Sequence, residues 1–329
     1  MFSVPWKVRA SSAVVVLVAG GSLGWMSRPA RSAVNAAPPP SVAHAASVAP
    51  ASEDAHVELT HRDEPGPPPH DPVASGVPAG LTIDGATPRR TLLFTFDDGP
   101  SRRNTPRLLD MLDRLGIRAV FFLTTESFGD GNPWEREHSE IVQEIVDRGH
   151  TIGNHTETHR QLPLLSNAEI EIELRRSERK IKHAIGLRPR LIRPPGGALS
   201  ARVSALLTEK GYTSVLWSVY TGDLEVDTAE DIVRTFFRVL RRRERESGDR
   251  GGIVLFHDTQ AHSLDAVPRL VDAIRRRNCQ LLAEGEELYD IVGDIRYFVP
   301  GHEPEDSLDA RQARLRERAA RECAALALR

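Results

Sequence analysis

Between Thr91 and Asp294 the sequence alternates short apolar runs with longer stretches whose apolar residues recur every three to four positions. The runs at 92–96, 119–123, 151–153, 191–192, 214–217 and 253–256 read as buried strands, with 280–282 as a further candidate. The stretches at 105–115, 141–148, 168–185, 201–210, 229–240 and 264–276 read as amphipathic helices, most ending near a glycine or an arginine cluster. Such alternation, repeated six or seven times, predicts a parallel sheet, and about 200 residues suits one α/β barrel. A doubly wound open sheet is the competing architecture. No G-x-G-x-x-G follows the first strand and no G-K-[ST] loop occurs, so its nucleotide-binding forms lose support. The charged run 241–246 reads as a solvated helix end or loop.

The flanks differ in kind. Lys7 and Arg9 precede an uncharged run at 10–27 whose most apolar part is 13–19, the pattern of an export signal, and Val34-Asn35-Ala36 offers a small-residue cleavage site. The same run is long enough for a membrane anchor, although Gly20, Gly21, Ser22 and Gly24 interrupt it. Residues 1–36 therefore read as a signal peptide or N-terminal anchor, and the protein as exported to the periplasm, envelope or exterior. Eleven of the 23 prolines lie between Pro38 and Pro88, so 37–90 reads as a disordered linker. The folded domain is then 91–297, and 298–329 a charged helix that packs outside the barrel or hangs free. Lys and Arg total 43 against 46 Asp and Glu, which argues against a nucleic-acid partner. Cys279 and Cys323 either bridge in an oxidising compartment or stay as thiols; their spacing does not decide.

Chemistry belongs at strand ends, where the following loops build the active face of a barrel. The first strand ends in Asp97-Asp98-Gly99-Pro100. Adjacent carboxylates on a regular strand point to opposite faces, but a Gly-Pro break lets both turn into one site. Taken alone, an Asp-Gly step more often makes a turn or cap. His155 and His159 follow the strand at 151–153, a spacing that lets two imidazoles reach one ion. The zincin pattern fails, because Thr156 stands where it needs Glu. A further strand end leads into Arg193-Pro194-Pro195-Gly196-Gly197, and another into His257-Asp258.

Together these motifs resemble the polysaccharide deacetylase family, the NodB-homology carbohydrate esterases, over about Thr91 to Asp294. The resemblance implies an α/β fold, a distorted (β/α)7–8 deacetylase barrel, and the following roles. In Thr95-Phe96-Asp97-Asp98-Gly99, Asp97 is the general base and Asp98 a metal ligand. In His155-Thr156-Glu157-Thr158-His159, both His complete the metal triad. Arg193 pairs with the base, Gly196 lends its N–H to the oxyanion, Leu255 lines the acetyl-methyl pocket, and His257 is the general acid, oriented by Asp223. Trp217 opens the fourth motif and lines the substrate side. The implied cofactor is a divalent ion, zinc first, with Co2+ or Mn2+ as alternatives. The implied activity is removal of N-acetyl groups from an envelope or extracellular polysaccharide.

Gly196, Tyr220 and Leu224 depart from the family pattern, which usually has Tyr, Asp and Trp there. The departures motivate one alternative, a non-catalytic carbohydrate-binding module on the same barrel. Retention of Asp97 and His257 argues against it. A metal-dependent hydrolase of a small non-sugar amide is the other alternative.

Overall fold

The structure, a computed structural model, describes residues 71–129 and 131–327. Its nine strands are β1 (Thr82–Ile83), β2 (Thr91–Asp97), β3 (Val120–Leu123), β4 (Thr151–Asn154), β5 (Leu191–Ile192), β6 (Thr213–Val215), β7 (Val219–Tyr220), β8 (Gly252–His257) and β9 (Asp290–Val292). All pair in parallel, in the order β1-β6-β5-β4-β3-β2-β8-β7, and β9 lies beside the start of β2. The sheet curls into an incomplete barrel, the distorted form of the predicted α/β barrel. No ladder joins β1 to β7 among the described residues; instead the Ser218 hydroxyl donates to the Gly85 carbonyl at 2.8 Å.

Every residue of β2 is buried, as a central strand of a parallel sheet covered on both faces requires. Phe94, Phe96, Phe121 and Phe256 from β2, β3 and β8 stack or meet edge-on with centroids 5.2–5.5 Å apart. Truncating a fully buried ring such as Phe96 to Ala should cost about 3–5 kcal/mol.

The helices are α1 (Thr105–Leu115), α2 (Pro133–Asp147), α3 (Asn167–Ile185), α4 (Ala201–Glu209), α5 (Ala229–Ser247), α6 (Ala261–Ala283) and α7 (Leu308–Ala327). Local chemistry sets their ends. Ser166 and Glu169 form a reciprocal capping box at the start of α3, and left-handed Gly186 (φ 74°) ends it. The buried residues of α3 are Ile170, Glu173, Leu174, Ser177 and Ile181, one helical stripe that includes an acid.

Two expectations change, and the open alternative at the cysteines is decided. The candidate strand at 280–282 is the last turn of α6, because Leu281 continues that helix's buried face. Residues 71–90 are part of the fold rather than linker: Val73, Val77 and Ile83 are buried, and β1 pairs with β6. Proline lacks a donor yet keeps its carbonyl, and this segment uses that asymmetry. The Pro72 carbonyl accepts from the Ile152 N–H at 2.8 Å, and the Pro78 carbonyl from the Thr213 hydroxyl. Finally, Cys279 and Cys323 form a disulfide between α6 and α7, with Cα atoms 5.7 Å apart. Leu315 and Ala319 of α7 are buried in the main core, so this helix is docked.

The predicted signal or anchor at 1–36 and the linker up to residue 70 lie outside the described residues. Among the described residues no helix is long and apolar enough to cross a membrane.

Candidate active site

Asp97 closes β2 with its side chain buried. Its Oδ1 accepts from Arg193 Nη1 at 2.7 Å. Arg193 follows β5, and its guanidinium also donates to Thr95 Oγ1 at 2.8 Å and to the Val215 and Leu216 carbonyls at 3.1 and 3.2 Å. It lies 4.1 Å from the Phe122 ring centroid. Burial pushes the Arg193 pKa down and Asp97 opposes that shift. Arginine nonetheless keeps its proton, so the pair places a fixed positive charge against Asp97.

A second buried pair lies at the end of β8. Asp223 Oδ2 accepts from the His257 backbone N–H and from the Ser263 hydroxyl, both at 2.7 Å, while Oδ1 lies 3.0 Å from His257 Nδ1. This leaves Nε2 facing the site, 4.0 Å from Asp98 Oδ2. Burial lowers the His257 pKa, but Asp223 and then Asp97 and Asp98 outweigh it, and the net shift is upward.

Asp98, His155 and His159 come together differently. A left-handed Asp98 (φ 71°) turns its carboxylate back toward the site instead of continuing the strand alternation. Asp98 Oδ1 is 3.4 Å from His155 Nε2 and 3.3 Å from His159 Nε2. His155 Nδ1 bonds the Arg193 carbonyl at 2.6 Å, which places its hydrogen there and leaves Nε2 with a lone pair. Asp98 Oδ1 is buried with no hydrogen-bond partner. Three ligand atoms thus converge within 4.8 Å, two of them bare acceptors, and a cation satisfies that set where a proton on one atom does not. The residues fit a divalent ion. Burial raises the Asp98 pKa, but His155, His159 and His257 overcome this and hold it below the ordinary carboxylate value.

The remaining predicted residues surround these groups. Leu255 is buried in β8, in register with Thr95. The Trp217 ring lies 5.7 Å from the Arg193 guanidinium and against Gly197. Gly196 is exposed and left-handed (φ 63°), a conformation that favours glycine over the side chain the family usually carries. Tyr220 is half-buried; burial and then Glu225 raise its pKa. Leu224 is exposed. A cleft of about 430 Å³ beside Asp98 and His159 is walled by Pro100, Thr124, Ser127 and the exposed Trp134.

Two buried acids beside the site, Asp258 and Glu173, have no role in the sequence reading. Asp258 accepts from the Thr105 hydroxyl and presses on Gly99, and burial pushes its carboxyl up to about 7. Glu173 receives donors from Glu157 and Thr158. The available signals were weak: an Asp directly after a strand-end His, and a Glu at a stripe position of α3.

Carboxylates and imidazoles are gathered at the strand ends of a curled parallel barrel, where the active face of α/β-barrel enzymes is built. Residues 84–215 match the family model described as polysaccharide deacetylase, so this segment carries that family's domain. That match ends before Asp223 and His257. A chitin deacetylase of Arthroderma benhamiae is 29% identical over 67% of this chain, and the chain spans 57% of that relative's length. A solved peptidoglycan N-acetylglucosamine deacetylase superposes at a TM-score of 0.52 with 25% identity, covering 66% of this chain and 95% of the other. The fold also occurs, at a TM-score of 0.52 and 22% identity, in a protein of Bacillus anthracis described as a CE4 family pseudoenzyme, over 60% of this chain and 66% of that one. The fold alone therefore carries no activity, and individual residues must.

Proposed function

We propose that this protein is an exported polysaccharide N-deacetylase that releases acetate from an N-acetylglucosamine polymer of the envelope or exterior, such as peptidoglycan or chitin. The names of its relatives support the substrate class. Asp98, His155 and His159 would hold a divalent ion, zinc or else Co2+ or Mn2+. Such an ion supplies polarisation of the amide carbonyl and a water of lowered pKa.

The chain's own residues do the rest. Asp97, fixed by Arg193, accepts the proton of the attacking water. The Gly196 N–H donates to the oxygen on which charge develops, and Leu255 receives the acetyl methyl. His257 is held by Asp223 with Nε2 toward the site, and that carboxylate favours the protonated form from which the departing amine takes its proton. Trp217 backs Arg193 on the substrate side.

One observation carries this reading. Each proton-handling group has a buried partner of its own, and each also approaches the ion cradle. Asp97 Oδ2 lies 3.8 Å from His155 Nε2, and His257 Nε2 lies 4.0 Å from Asp98 Oδ2. A binding module needs neither pair. The partial exposure of Asp98 (28%) and His159 (46%) favours a polymer lying across the site over a small amide enclosed within it.

The test is acetate release from chitin oligomers, peptidoglycan and acetylated xylan, by zinc-loaded and chelated protein. Release from an N-acetylated polymer by the loaded protein alone is expected. Absence of release from every substrate would overturn the reading in favour of a binding module.

A further inference from the structure

The turn that carries both candidate ligand histidines is strained. Thr156 (φ 70°) and His159 (φ 56°) are both left-handed without being glycine. Such a conformation is disfavoured for a residue with a Cβ, and persists only where its surroundings over-determine it. The Thr156 hydroxyl accepts from the His159 N–H within the turn, and the Thr156 and Glu157 carbonyls accept from the N–H groups of Thr125 and Glu126; further restraint comes from α3. Glu173 Oε2 accepts from the backbone N–H of Glu157 at 3.1 Å and of Thr158 at 2.9 Å, and Oε1 accepts from the Thr158 hydroxyl at 2.6 Å. These donors lie between the two histidines in the chain. Glu173 itself is 6% exposed, on the buried stripe of α3.

One helical turn further along that stripe, Ser177 Oγ accepts from Asn154 Nδ2 at 2.8 Å. The Asn154 side chain in turn accepts from the Thr156 N–H, also at 2.8 Å. Two positions of α3, spaced i and i+4, therefore hold the start and the middle of the turn. The nearby cations Arg176 and Lys180 pair with Glu157, on the turn itself.

We propose that Glu173 is a positioning residue for His155 and His159, holding the 155–159 turn in its ligating conformation from α3. The inference rests on the reading of Asp98, His155 and His159 as an ion cradle. Glu173 needs geometry here more than charge. A glutamine could accept both N–H groups with its carbonyl oxygen and donate its amide N–H to the Thr158 hydroxyl, whereas an alanine leaves buried donors unpaired.

The experiment measures zinc affinity of the full chain by competition with a chromogenic chelator, alongside thermal midpoints. Glu173→Ala is expected to weaken zinc binding about 10–100-fold, the range seen when groups orienting metal ligands are removed. Glu173→Gln should stay within about threefold of wild type, since its three hydrogen bonds survive. Ile181→Ala, a core truncation on the same helix, should lower the thermal midpoint without moving zinc affinity. If Glu173→Ala does not fold, Thr158→Val carries the test, because it removes only the hydroxyl bond. Several-fold weaker zinc binding then supports the proposal, and unchanged binding overturns it. Wild-type affinity in Glu173→Ala would also overturn it, as would equal weakening by Ile181→Ala. A wild-type chain that takes up no zinc would sink the ion-cradle reading itself, and the positioning role with it.

Discussion

The proposed proton-handling half and the proposed ion-holding half of the site share a few ångströms but are built on opposite principles. Asp97, Arg193, Asp223 and His257 are all buried, and each has its polar partners within the protein. Asp98 and His159 are partly exposed and left-handed, and the Asp98 oxygen facing the histidines has no partner. The first half is complete as folded. The second is completed only by something positively charged. Preorganised dipoles suit groups that must move protons without reorganising, whereas a cradle open to solvent lets an ion enter.

Changing either half tests this contrast. The largest effect is expected from His155→Ala, which should abolish zinc uptake and reduce acetate release to background, as metal analysis and an acetate assay on one preparation would show. Retained zinc would break the contrast outright. Asp97→Asn should keep zinc and lose about 10²–10⁴-fold in turnover, the scale of a positioned base, and loss of metal there would blur the two halves into one.

A smaller and sharper effect concerns Asp223→Asn. Asp223 helps raise His257 above its ordinary value, so removing its charge should lower the His257 pKa. His257 must be protonated to donate. The alkaline limb of the rate profile should therefore move to lower pH, with about a tenfold loss near neutrality. A limb that stays put would remove His257 as the titrating acid.

The smallest effect is on stability. Zinc at a hundredfold excess over its Kd should stabilise the fold by about 2.7 kcal/mol, a thermal shift of several degrees, and chelation should reverse it. In His155→Ala chelation should change nothing.

The same division governs what could be read from the sequence. Strands such as 92–96 and 253–256 were legible because a covered parallel strand is an unbroken apolar run, and their ends exposed Asp97, Asp98 and His257. The supports were not legible. Glu173 and Asp258 are acids, and a single acid in a polar-rich sequence carries no mark of burial until the fold surrounds it. Segment 71–90 was misread because its prolines look like linker while their carbonyls serve the sheet. Strand β1 pairs only two residues, too short a pattern for alternation to register.

The disulfide between Cys279 and Cys323 closes a covalent loop of sequence separation 44, worth about 4 kcal/mol in the chain-entropy description. That loop contains β9, which pairs with the first residues of the strand ending in Asp97. A protease cutting anywhere from 280 to 322 would therefore nick the chain without releasing its end. The two fragments would migrate as one species until a reductant is added, and the neighbour of the strand that ends in Asp97 would stay tethered.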